Sequence, residues 1–259
     1  MSLNLNCELV NRKLVDFLVD EFKKANIKNG IVGLSGGIDS ALSAYLAVEA
    51  LGADNVYCIM MPYKSSNPNS QKHAELVIDK LRCKHELIEI TSMVEPLFDH
   101  DKNISTLRKG NIMARQRMII LYDYSAKQNG LVIGTSNKTE ILLGYSTIFG
   151  DNACALNPIG NLYKTHVWQL SRFIGIPNEL IDKAPSADLW DGQTDEGEFG
   201  FSYKEVDKLL CMMIDEKKNS AELIEAGCKP EFIQKVETMI QKSEYKRRLP
   251  LVASITSKL

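Results

Sequence analysis

The sequence predicts an α/β protein, an open parallel sheet flanked by helices with a helical C-terminal part. Three observations carry this. Short apolar segments alternate with stretches of helical periodicity up to about residue 163, the pattern of strand–helix–strand units. Beyond that point only helical periodicity remains. A chain of 259 residues, 44% hydrophobic, can also bury a sizeable core as one domain without disulfide staples.

Taken in order, Leu9, Val10, Leu14, Phe17, Leu18 and Phe22 recur at helical spacing, so residues 8–25 read as an amphipathic opening helix that Gly30 stops. Residues 30–34 are a short apolar strand, and residues 39–51 the helix that follows it. A second strand over 56–61 ends at Pro62, with a helix over 68–81 and a third strand over 85–90. Residues 91–110 are weakly patterned. A helix over 112–128 leads to a fourth strand at 131–133, and a fifth is expected over 154–159. Helices are expected over 164–174, 202–215 and 230–242. The stretch between Ala187 and Tyr203 is Gly-rich and acidic, and 188–200 reads as a water-excluding lid or a solvated loop. With no repeat or low-complexity linker, residues 1–259 form one domain.

Composition removes several function classes. Thirty-one basic against 33 acidic side chains give a net charge of −2, which is no footprint for nucleic acid. No apolar run approaches the roughly 18 residues of a membrane span, and Met1 to Asn6 do not form a secretory leader. The six cysteines contain no C-x-x-C pair, which points to reduced thiols in the cytoplasm. The four histidines show no metal-ligand spacing, leaving a carboxylate-held Mg²⁺ as the open metal possibility.

The chemistry concentrates at Gly33-Leu34-Ser35-Gly36-Gly37-Ile38-Asp39-Ser40, between a strand and a helix. Glycines there let the backbone approach an anion, and the N–H groups of the helix start supply a positive end. The spacing is not G-x-G-x-x-G, and Ile38-Asp39-Ser40 stands where a Walker loop has Gly-Lys-Ser. An aspartate cannot face phosphate unaided, so Asp39 implies Mg²⁺ between them, or else merely complements the helix dipole. A second loop, 134–140, follows another strand at the same sheet edge. Its Asn137 and Glu140 suit a helix cap, and Glu140 could also share Mg²⁺ with Asp39.

The Ser-Gly-Gly-x-Asp-Ser string resembles the pyrophosphate loop of the ATP pyrophosphatase family, whose Rossmann-like members cleave ATP between its α and β phosphates. Gly144-Tyr145, Phe149-Gly150-Asp151, Asn157-Pro158-Ile159-Gly160, Lys164, Lys183-Ala184-Pro185-Ser186 and Gln193-Thr194-Asp195-Glu196 extend the likeness. In this order the set resembles the ammonia-dependent NAD synthetases over nearly the whole chain. The resemblance implies amidation of deamido-NAD by ammonia, with ATP as co-substrate and Mg²⁺ as cofactor. Residues Gly33, Leu34, Ser35, Gly36, Gly37, Ile38, Asp39 and Ser40, with Thr135, Lys164 and Ser186, would bind ATP. Asp39 and Glu140 would hold Mg²⁺. Arg115, Tyr245 and Lys246 would contact deamido-NAD, and Asp151 would orient or deprotonate ammonia, with Lys164 supporting the departing charge.

The resemblance also implies a homodimer, for which the opening helix is a candidate contact, and the length leaves no room for a glutaminase domain. Many relatives carry Lys at 148 and Asp at 155, where this chain has Ile148 and Ala155, and Tyr245 replaces their His. Cys154 lacks a neighbouring His and reads as a small packed residue. Another adenylating ligase, a tRNA-thiolating enzyme or a non-catalytic nucleotide-binding protein would share the first loop.

Overall fold

A computed structural model describes residues 3–186, 192–248 and 250–253. Its elements run α1 (Cys7–Ala25), β1 (Asn29–Gly33), α2 (Ile38–Leu51), β2 (Val56–Met60), α3 (Pro68–Leu81), β3 (Lys84–Leu87), α4 (Thr91–Asp99), α5 (Thr106–Lys127) and β4 (Gly130–Ile133). There follow α6 (Lys138–Leu143), α7 (Lys164–Phe173), α8 (Asn178–Ile181), α9 (Asp195–Phe199), α10 (Tyr203–Leu210), α11 (Ser220–Glu225) and α12 (Pro230–Lys242). The four strands pair in parallel in the order β3-β2-β1-β4.

β1 is central because it can be buried on both faces. Successive residues point to opposite sides: Val32 packs into the cluster with Leu18, Leu42, Val77 and Leu170. Ile31 packs into the other, with Val94, Phe98, Met113 and Ile120. Helices α1, α2, α3 and α7 therefore cover one face, and α4 and α5 the other. A third cluster, around Tyr163, Tyr203, Leu210 and Val236, holds the C-terminal helices together.

Helix α7 is tied to its neighbours by a buried carboxylate. Asp207, fully buried on α10, accepts the Thr165 N–H at 2.8 Å and the Thr139 hydroxyl of α6 at 2.5 Å. Thr139 Oγ1 in turn accepts the Lys164 N–H at 3.1 Å. The start of α7, and with it Lys164, is fixed in place.

Differences from the sequence expectations have local causes. The weakly patterned 91–110 segment contains α4 and the first turn of α5, capped by Ser105. Exposed Met93, Leu97 and Leu107 and the internal Pro96 blur its periodicity. The third strand ends at Leu87, although the Ile88 and Ile90 N–H groups still bond to Met60 and Pro62 carbonyls. The expected fifth strand is a single parallel bridge, Ile133 to Leu156, because Pro158 has no N–H with which to continue a ladder. The expected 202–215 helix changes to a π turn at Cys211–Asp215.

Candidate active site

A cavity of about 610 Å³ opens where the loops after β1, β2 and β4 meet α7 and residues 183–186 and 193–198. This is the carboxyl edge of a parallel sheet, where such folds bind ligands.

The loop after β1 is built by its own side chains. Ser40 Oγ accepts the Ser35 N–H at 3.2 Å and donates to the Gly37 carbonyl at 3.0 Å, while Ser35 Oγ accepts the Gly37 N–H at 3.3 Å. Gly37 caps α2 without a side chain, so the helix start keeps donors for an anion. Gly36 has φ +75°, and a Cβ there would stand 1.9 Å from the Ser70 carbonyl oxygen. It builds the wall from behind, whereas Gly33, Leu34, Ser35, Gly37, Ile38, Asp39 and Ser40 line the cavity. Leu34 and Ile38 face the core with their side chains. Lys183 latches this loop to α3, donating to Ser70 Oγ at 2.9 Å and to the Gly36 carbonyl at 3.4 Å.

The loop after β4 brings Thr135 to the cavity and Asn137 to Asp39, whose Oδ1 accepts Asn137 Nδ2 at 2.9 Å. Glu140 is the helix cap the sequence allowed, and it also faces Lys164. Its Oε2 accepts the Asn137 N–H in a capping box at 3.2 Å, and its Oε1 lies 3.8 Å from Lys164 Nζ. Lys164 is 3% exposed and pairs with Asp39 Oδ2 at 2.5 Å. A solvated lysine is therefore ruled out. Burial pushes its pKa down, but Asp39 and Glu140 outweigh that and hold the ammonium charged. Burial and the Asp39 charge raise Glu140 well above the usual carboxylate range, with Lys164 opposing.

Asp151 and Ser186 line the same cavity, as do Tyr245 and Lys246. Asp151 reaches solvent, yet protein packs densely round its carboxyl, which raises its pKa, while its Oδ1 accepts the Thr147 N–H at 2.7 Å. Lys246 is no solvated helix end. It donates to the Gly144 and Ser146 carbonyls at 2.8 and 2.6 Å. Arg247 caps carbonyls of Ile141, Leu142 and Ile240. Arg115 is not brought to this cavity: it is exposed and donates Nε to the Ile148 carbonyl at 3.3 Å. Cys154 packs against Gly134, and burial raises its thiol pKa, the opposite of an activated nucleophile.

The sequence missed Asp195, Gln193, Tyr145, Arg117 and Lys183 as cavity residues. Gln193, Asp195 and Phe199 are 7%, 4% and 3% exposed, so these three side chains of the expected lid pack inward, while 192, 194, 197, 198 and 200 are exposed. Residues 188–191 of that segment lie outside the described residues. The signal was Gln193-Thr194-Asp195-Glu196 itself, whose acidic character reads as solvated until its burial is known.

Residues 10–250 match the family model for NAD synthase. The NH(3)-dependent NAD(+) synthetase of Fusobacterium nucleatum is 56% identical over 254 residues, covering 98% of each chain. The solved NMN synthetase of Francisella tularensis superposes with a TM-score of 0.85 at 34% identity, covering 97% of this chain and all of that one. The NH3-dependent NAD synthetase of Campylobacter jejuni, solved with a nitrate ion, gives 0.82 at 35% identity over 96% of this chain and all of that one. The chain belongs to the NAD synthase family.

Proposed function

We propose that the protein amidates deamido-NAD with ammonia, giving NAD, AMP and pyrophosphate through an acyl-adenylate. The observation that carries this is the buried Lys164 between Asp39 and Glu140, at the mouth of a loop built to cradle phosphates. A carboxylate cannot expel oxide, so it must first be activated. The nicotinate oxygen attacks the α phosphorus of ATP, a new P–O bond forms, and pyrophosphate leaves. The α2 N–H groups and Lys164 stabilise the charge on the departing group. Neutral ammonia then attacks the acyl carbon, AMP leaves with the C–O bond, and a proton is lost. Asp151, whose pKa burial raises, lines the cavity as a base for that proton.

Asp39 and Glu140 fit Mg²⁺. Their donors are hard oxygens, and with Asp195 they set three carboxylates around one ammonium. Among the described residues no group of three or more His, Cys, Asp or Glu could hold a metal ion. An ion there would be held by one or two carboxylates, its other ligands being water and phosphate. When bound, it would neutralise phosphate charge beside the α2 N-terminus.

A homodimer is part of this reading. Arg115, Ile119 and Tyr122 share an exposed stripe of α5 at i, i+4 and i+7, which supports a self-contact there better than at α1. It also gives Arg115 a role across the interface. Light scattering that returns a monomer would contradict it. A cytoplasmic location is consistent with the six free cysteines and with no described helix being long and apolar enough to cross a membrane.

Adenylation can be tested alone. With deamido-NAD, Mg²⁺ and ATP but no ammonia, labelled pyrophosphate should enter ATP only when the dinucleotide is present. Exchange that needs the nicotinate mononucleotide instead would reassign the substrate, and no exchange with either would overturn the reading.

A further inference from the structure

The loop after β1 contains a peptide that its own side chains hold only loosely. Ser40 Oγ ties down the 34–35 and 37–38 peptides, accepting the Ser35 N–H at 3.2 Å and donating to the Gly37 carbonyl at 3.0 Å. The peptide between Gly36 and Gly37 has glycine at both ends, and its N–H reaches Ser35 Oγ at 3.3 Å, a long bond. With no Cβ on either side, turning such a peptide over costs little. The consequence for an anion is large. A trans peptide carries its C=O and N–H on opposite sides, so a half-turn replaces a donor with an acceptor that repels phosphate.

Lys183 stands against the carbonyl of that peptide. Its Nζ lies 3.4 Å from the Gly36 oxygen and is itself fixed by donating to Ser70 Oγ of α3 at 2.9 Å. Ser35 and Gly37 line the cavity, whereas Gly36 does not. The carbonyl is thus held at the back of the loop, and the Gly37 N–H falls on the cavity side. His73, also on α3, is close by. Burial, then the Lys183 charge, holds its ring below the ordinary histidine pKa, with Glu179 and the Gly36 backbone opposing. A neutral imidazole leaves Lys183 to supply the positive charge at this carbonyl.

We propose that Lys183 is a positioning residue for the ATP phosphates: by engaging the Gly36 carbonyl it keeps the Gly37 N–H turned toward the anion. The proposal rests on the reading of this loop as the holder of ATP in the amidation reaction. It also explains why a loop with a Gly-Gly peptide at its centre can serve as a preformed anion site.

Lys183→Met should raise the Kd for magnesium pyrophosphate, read by calorimetry, and the KM for ATP about tenfold, the scale of one hydrogen bond to a charged group. The KM for deamido-NAD should stay within about twofold. A crystal structure of the ligand-free variant should show the Gly36–Gly37 peptide turned over or in two orientations. Unchanged pyrophosphate affinity would overturn the proposal. So would weakened binding with the peptide unmoved, which would make Lys183 a direct phosphate contact instead. A second measurement needs no variant. In the isotope-labelled wild-type chain, magnesium pyrophosphate should move the Gly37 amide proton downfield, as donation to an anion does, and an unmoved Gly37 signal on binding would overturn the proposal. Both results obtained with a protein that forms no NAD would keep the positioning role and reject the reaction instead.

Discussion

Lys164→Met should abolish amidation, by about a thousandfold or more, and should also destabilise the fold by about 3 kcal/mol. Both effects come from one ammonium. Lys164 is the buried cation between Asp39 and Glu140, and its backbone N–H is bonded to Thr139, so methionine keeps the stem but leaves two acids facing each other. Glu140 already has a raised pKa, from burial and from Asp39, with Lys164 opposing. Losing that opposition raises it further. A carboxyl whose folded pKa exceeds its unfolded value penalises the fold at higher pH, and the penalty disappears as pH falls through the folded value. The variant should therefore regain stability relative to wild type on mild acidification, between the ordinary carboxylate range and the raised Glu140 value. Denaturant midpoints across that window check this. A pH-independent difference would mean that the lost packing, and not the charge, sets the cost.

Asp39→Asn should be equally inactive and should also cost the fold stability, because it removes the closest partner of the buried Lys164 ammonium. Asparagine keeps an oxygen for the Asn137 amide, which now donates to Asp39 Oδ1 at 2.9 Å. It removes the charge that raises Glu140 and that would share Mg²⁺. Turnover should fall by about a thousandfold or more, and the denaturant midpoint should fall too, since Lys164 keeps only Glu140 at 3.8 Å. Titration with Mn²⁺ in the presence of ATP should show weakened metal binding. A variant that retains both metal affinity and turnover would remove Asp39 from the metal site. The two variants are told apart by the metal titration, because only Asp39→Asn removes a carboxylate that would share Mg²⁺.

Much of this site is legible in the sequence because its signals are local. The 33–40 loop lies between an apolar strand and a helix, and the Asn137/Glu140 spacing is a cap that the structure contains. Lys164 is legible for a physical reason, since a cation at a helix start opposes the dipole and needs anions nearby. What the sequence hides is burial created by distant partners. Asp195 and Gln193 sit in an acidic, glycine-rich stretch that reads as solvated, and they are buried by Tyr203, Tyr145 and the 183–186 segment. The Lys246 and Arg247 charges likewise look exposed until the ends of α6 and α12 give them carbonyls to hold. In the fold, parallel strands with apolar runs are readable. Helix α4, with Pro96 and its exposed leucine, is not, because periodicity fails where only Val94 and Phe98 turn inward.

The most direct measurement is the balance of the complete reaction. The purified chain, given ATP, Mg²⁺, ammonium and deamido-NAD, should form NAD and AMP in equal amounts, with no ADP. NAD formation should stop when ATP is omitted. Formation of ADP in place of AMP, or AMP release without NAD, would contradict the account.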